Sequence, residues 1–249
     1  MKSQDILLVF KLLSIEQQFK KLEKKDFNYV KARFDGGWQD WEDVSTGYTK
    51  EEIDYITIEL GIEDIESWPE NSIKGISQEL YNDSSSDKFL SFSYNDRLSY
   101  YLDRLESARS VRGLAEETGI SKSEVSKSIK RCEESGLVFR DFKGKHPRVN
   151  KKNLIEFTIH GLKYVFPVKP REVSRGIKTG FSAPVLNNEL MSAGDLDLVW
   201  PDALGKSKGQ AVEPLYKTST YAVRKDNRLY GLLSLIDAIR LGKQRERLL

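Results

Sequence analysis

The chain has 249 residues, 39% of them hydrophobic and 31% charged, and a formal net charge of +2. That apolar share supports packed cores rather than disorder, and the length suits one large domain or two modest ones. No apolar run reaches the length of a membrane span, and one cysteine, Cys132, rules out an internal disulfide.

The first predicted element is a helix from Ser3 to about Ser14, continuing or restarting through IEQQFKKLEKKDFNYVKARF. Asp5 and Lys11 interrupt or flank its apolar stretch and no small-residue cleavage site comes after it, so it reads as an amphipathic helix of a cytoplasmic protein rather than a leader. Its first part is expected in the core and its second mostly on the surface. Gly36 and Gly37 break the pattern, Thr49 caps a short helix KEEIDYITIELG, and NDSSSD at 82–87 is a loop. Residues 34–106 hold 18 acidic against 5 basic side chains, a balance of −13. Residues 107–249 hold 27 basic against 16 acidic, and residues 1–33 hold 8 against 4, so a near-neutral whole hides a dipolar molecule. The expected domains are therefore an N-terminal helical segment (1–33) and an acidic, mostly helical insert (34–106), with two further units in the basic half. The insert has two functional readings, a surface for a cationic protein partner or an intramolecular cover for the basic face. The plainer reading is that Trp38, Trp41 and Trp68 fill a small core while the acids face water.

NDRLSYYLDRLESA is an amphipathic helix with Leu98, Tyr101, Leu102 and Leu105 on one face. From Ser110 to Asn150 the chain reads as two helices around a tight turn and then a basic hairpin, the order of a winged helix-turn-helix. Either NDRLSYYLDRLESA or the helix from Ser3 to Leu13 packs on this motif as its first helix. Val111, Leu114, Ala115 and Thr118 share a face, and Ala115 is the small residue expected where the two helices cross. Gly119 supplies the left-handed stop, Ile120 plugs the corner, and Ser121 with Glu124 forms an S-x-x-E capping box. In the second helix Val125, Ile129 and Cys132 face the core, leaving Lys122, Ser123, Ser126, Lys127 and Lys130 on a short, polar, cationic side of the kind a major groove requires. After Gly136 the period becomes two, and Lys143, Gly144 and Lys145 turn a wing into His146 to Val149. The candidate DNA contacts are Ser110 and Arg112, then Lys122, Ser123, Ser126, Lys127, Lys130 and Arg131, then Arg140, Lys143, Lys145, His146 and Arg148 on the wing. Protein docking is the competing use of such a unit.

Asn150 is expected to cap a helix KKNLIEFTIHGLKYVF whose apolar residues Leu154, Ile155, Phe157, Ile159, Leu162 and Val165 cover nearly its whole circumference, so that it must be buried on several sides. A homodimer interface or the C-terminal segment of the same chain would bury it. Residues 107–166 make the winged-helix unit on this reading. From Pro167 to about Tyr221 prolines and glycines predict an ordered irregular arm, in which Arg175 to Gly180 is an anion-holding loop or, more simply, a plain one. Asp226 or Asn227 caps a last helix through Leu241, with Leu229, Leu232, Leu233, Ile236 and Ile239 as a core stripe and a basic end. Enzymatic chemistry has little support, since triads and zinc sites need clustered ligands and only His146, His160 and Cys132 are available. His160 reads as a satisfied core histidine and Cys132 as an inert small hydrophobe, and no cofactor or metal is expected.

Residues 107–249 resemble a group of bacterial MarR-like winged-helix proteins in which the motif is succeeded by runs similar to NLIEFTIHGLKYVFPVKP, RGIKTGFSAPVL, VWPDALGKSKGQAVEPLY and LYGLLSLIDAIRLGKQRERLL. In shorter relatives a first helix resembling SQDILLVFKLL leads almost directly into the motif, whereas here about ninety residues intervene. The resemblance implies a transcriptional regulator that contacts DNA through Lys122, Ser123, Ser126, Lys127 and Lys130, with Lys145 and Arg148 on the wing. It also suggests a second function, an antitoxin or inhibitory subunit that docks a nucleotidyltransferase-like toxin and autoregulates its operon. The expected fold is mainly α with a small β-hairpin wing (α+β), plus the acidic insert and a C-terminal arm (167–249) ending in a helix. The expected function is a sequence-specific double-stranded DNA-binding regulator, a repressor acting by occlusion as a homodimer.

Overall fold

The computed structural model describes residues 1–23, 94–140, 146–186 and 196–242. Most of the acidic insert, including Trp38, Trp41 and Trp68, and the wing tip with Lys143 and Lys145 lie outside the described residues.

Helix α1 (Ser3–Glu23) is the post around which the rest is arranged. The Lys2 amide donates to Asp5 across its first turn at 2.7 Å, and Lys20 and Lys21 sit in its last turn, where the helix dipole favours cations. Ile6, Leu7, Leu8, Val9, Phe10, Leu12, Ile15 and Leu22 are all buried, which places core on every side of it. It packs against α2 (Tyr94–Ala108), α3 (Val111–Thr118) and α4 (Lys122–Glu134). The question of which helix completes the motif therefore has a joint answer: α1 and α2 both do. The charge-based boundary at residue 106 falls inside α2, whose buried Tyr101 and Leu105 belong to this core.

The helix-turn-helix forms as its local signals dictate. Ser110 caps α3 by accepting from the Gly113 amide at 3.0 Å. Gly119 closes α3 at φ 69°, donating its amide to the Ala115 carbonyl at 3.0 Å, and Ile120 fills the corner at 3% exposure. Ser121 caps α4 through the Glu124 amide. The expected capping box is only half made, because the Glu124 carboxylate accepts from Gln4 at 2.8 Å and Lys127 at 3.1 Å instead of reaching back to its own cap. A long-range partner on α1 displaces the local one.

β1 (Val138–Arg140) and β2 (Pro147–Val149) form the antiparallel wing, with Phe139 opposite Arg148. Glu16 of α1 accepts the Val149 amide at 2.9 Å, tying the wing base to the central helix; burial pushes its carboxyl up. Asn150 then caps α5 (Lys151–Glu156), which passes through a π turn at Phe157–Gly161 into α6 (Leu162–Val165). This segment is not enclosed as its composition implied. Leu154, Thr158 and Leu162 are buried, but Tyr164 is 72% and Val165 51% exposed. The extra residue in the π turn rotates the register, so a single inward face replaces the all-round pattern. His160 is exposed rather than a core histidine.

The arm is not irregular. β3 (Val173–Lys178) is antiparallel to both β4 (Leu198–Pro201) and β5 (Ser207–Ala211), and β4 and β5 pair in parallel, so that three short strands close on one another. The inward positions of β5 are Ser207, Gly209 and Ala211, small residues that leave no hydrophobic alternation to read. Arg175 to Lys178 is strand rather than loop, and a 3-10 turn begins at Gly180: Arg175 Nε donates to the Gly205 carbonyl and Lys178 pairs with Asp197 at 3.2 Å.

After α7 (Ser219–Val223), Asp226 caps α8 (Asn227–Leu241), where Leu229, Leu232, Leu233 and Ile236 of the predicted stripe are buried and Ile239 is half-buried. Arg228, Ser234, Asp237 and Arg240 on its other faces are buried too. Asp237 accepts from Trp200 Nε1 at 2.5 Å, Thr179 at 3.0 Å and Arg240 at 2.5 Å, locking α8 to β4 and to the end of β3. Burial pushes its carboxyl up against the pull of Arg240.

Candidate nucleic-acid interface

The amphipathicity of α4 divides its side chains cleanly. Val125, Ser128, Ile129 and Cys132 are buried, whereas Lys122, Ser123, Ser126, Lys127 and Lys130 are exposed along the opposite side. Ser126 donates to the Lys122 carbonyl at 3.1 Å, and the Lys127 ammonium lies 3.1 Å from Glu124, an exposed pair that holds the chain weakly. Burial pushes the Cys132 thiol up to about 12, so it stays a neutral core group.

What holds α4 at its angle is a polar cluster under it. The Asp5 carboxylate, fully buried on α1, accepts from Arg131 Nε at 2.9 Å and Nη2 at 2.5 Å, and from the Ser128 hydroxyl at 2.6 Å. Arg131, counted among the candidate DNA contacts, is thus turned back onto α1 and serves to position the helix. Its spacing on α4 matched the cationic face, but its fork found a buried carboxylate 126 positions away, a pairing without local signature.

Burial alone would raise the Asp5 carboxyl, but the bonds from Arg131, Ser128 and Lys2 outweigh it and hold it below the ordinary carboxylate range. A depressed value means that the folded state favours the charged form. Its stabilisation is present above the unfolded value, about pH 4, and is lost as pH falls through the lower folded value. The urea midpoint of the wild-type chain is expected to drop below about pH 4 more steeply than that of Asp5→Asn; parallel curves would refute the coupling.

The remaining candidates flank α4. Ser110 caps α3, and Arg112 is exposed with a 2.9 Å bond to Glu116. On the wing Arg140 is exposed and pairs with Glu133 at 2.7 Å, Arg148 is half-buried, and His146 lies 3.3 Å from Glu106 of α2. Phe139 stands 51% exposed on the same hairpin. Among the described residues no group of three or more His, Cys, Asp or Glu is placed to hold a metal ion, and no helix is long and apolar enough to cross a membrane.

A cationic helix after a tight turn, packed on a three-helix core and continued by a basic hairpin, defines a winged helix-turn-helix. Residues 100–146, from within α2 to the residue before β2, match the model of the MarR family, a family of DNA-binding transcription regulators. The likeness read from the sequence is thereby borne out over this segment, which also takes in part of α2, and residues 147–249 lie outside the match. No curated protein and no solved structure matches the chain.

Proposed function

We propose that this protein is a sequence-specific double-stranded DNA-binding regulator that reads the major groove with α4, grips phosphates with its wing, and represses by occlusion in the cytoplasm. The carrying observation is the exposed row of Lys122, Ser123, Ser126, Lys127 and Lys130 on a helix whose other side is locked to α1. The excess of basic side chains in residues 107–249 has the sign needed to displace counterions from a duplex. A two-fold dimer suits a pseudo-palindromic operator, and the exposed Tyr164 and Val165 of α6 offer apolar surface for it.

The test is a titration of the full chain onto duplex from its own upstream region and onto random duplex, across a salt series. Specific binding with two copies per site is expected, with affinity falling steeply as salt rises. Lys127→Glu combined with Lys130→Glu should weaken it by about 30-fold or more, since two attractive phosphate contacts become repulsive. Equal binding to both duplexes would leave a DNA-binding protein without sequence specificity, whereas no binding to either would make the unit a docking module, with an antitoxin-like protein partner as the next reading.

A further inference from the structure

The C-terminal arm, outside the family match, reaches the helix-turn-helix at its turn. Thr218 and Tyr221 lie so close to Gly119 that a Cβ there would meet them at 3.3 and 3.1 Å. The Tyr221 hydroxyl donates to the Glu116 carbonyl at 3.0 Å, and the Lys225 ammonium donates to the same carbonyl at 2.9 Å and to the Tyr221 oxygen at 2.6 Å. The ammonium also lies 4.4 Å from the centre of the Tyr221 ring. These contacts cap the end of α3 and leave both side chains exposed, Tyr221 at 42%. Lys217, next to Thr218, is exposed too.

This places two cations of the arm beside Gly119, two residues before the cap of α4. The N-terminal end of a recognition helix is the end that approaches DNA, with base edges ahead of it and phosphates on either side. The Glu116 carboxyl reports the local field: its bond from Arg112, then the nearby Lys122 and Lys225, hold it below its ordinary value although it is exposed. Exposed Lys217 and Lys225 of the arm thus lie on the same side of the turn as Lys122 of α4, with Glu116 between them paired to Arg112.

We propose that Lys217 and Lys225 form a second phosphate-binding site, contacting the duplex backbone beside the groove entered by α4 and lengthening the footprint beyond the winged helix. This rests on the DNA-binding reading above. Such contacts add affinity and register but read no base, so their loss weakens specific and random duplex alike.

The test compares wild-type chain with Lys217→Gln, Lys225→Gln on the upstream and random duplexes across a salt series. Each lost phosphate contact should make the slope of log affinity against log salt shallower by about 0.9, so the double variant should lose about 1.8 and bind both duplexes about tenfold more weakly at low salt. An unchanged slope overturns the proposal even if affinity falls, because a lysine that only caps α3 leaves the counterion count alone. Lys217→Gln by itself, where no cap is disturbed, should still lose about one unit of slope. If the wild type binds and Lys127→Glu, Lys130→Glu abolishes specificity while the arm variant matches wild type, this inference fails and the DNA reading stands; if the wild type binds no duplex, both fail.

Discussion

Lys11→Met is expected to destabilise the chain by about 3–5 kcal/mol, the range for removing one partner of a buried ion pair. Lys11 is fully buried, 2.8 Å from Asp226, itself 1% exposed, and 2.7 Å from Glu117. Asp226 also accepts from the Ser14 hydroxyl and caps α8 through the Leu229 amide at 3.2 Å. Three elements, α1, α3 and α8, thus meet at one ammonium. Methionine matches the aliphatic stem but removes the ammonium that balances the charge of the buried Asp226 carboxylate. Adding Asp226→Asn should recover more than half of the loss, since asparagine caps a helix as well as aspartate and carries no charge to strand. Urea unfolding of the two variants measures both effects. A loss under about 1 kcal/mol for the single variant would reduce the pair to the worth of a surface bridge.

Gly113→Ala is expected to cost about 3 kcal/mol or more, although alanine is intrinsically better in a helix by roughly 1 kcal/mol. Gly113 is where α3 runs into the end of α2: a Cβ there would lie 2.1 Å from the Ser107 carbonyl oxygen and 2.7 Å from Ala108 Cα. Both are backbone atoms, so no rotamer change relieves the clash and the helices must part. The melting temperature should fall by roughly 10 °C, and specific DNA affinity should fall with it because α3 carries the turn that orients α4. Stability at or above wild type would show that the α2–α3 junction yields freely.

The two variants probe different kinds of information. The helix-turn-helix was legible because its determinants are local: Gly119, Ile120, Ser121 and the periodicity of Val125, Ile129 and Cys132 act within a few residues of one another, and each is found in its expected role. The outward face of α4 was legible for the same reason, since a core-facing stripe leaves the rest of a helix wet. Arg131 and Glu124 went elsewhere because Asp5 and Gln4, distant in sequence, offered buried partners.

The sequence by itself determined where α3 and α4 meet at their turn, which side of α4 faces out, and that Cys132 is an inert core thiol, all consequences of side-chain periodicity and capping chemistry. Tertiary structure alone decided that three strands close the arm, because their inward positions include serine, glycine and alanine and carry no apolar alternation. It also decided that Lys11 joins three helices from inside the core and that Tyr221 and Lys225 sit on the turn of the motif. These pairings span 105 to 215 positions, and a partner so far along the chain is chosen by packing, which no local pattern encodes.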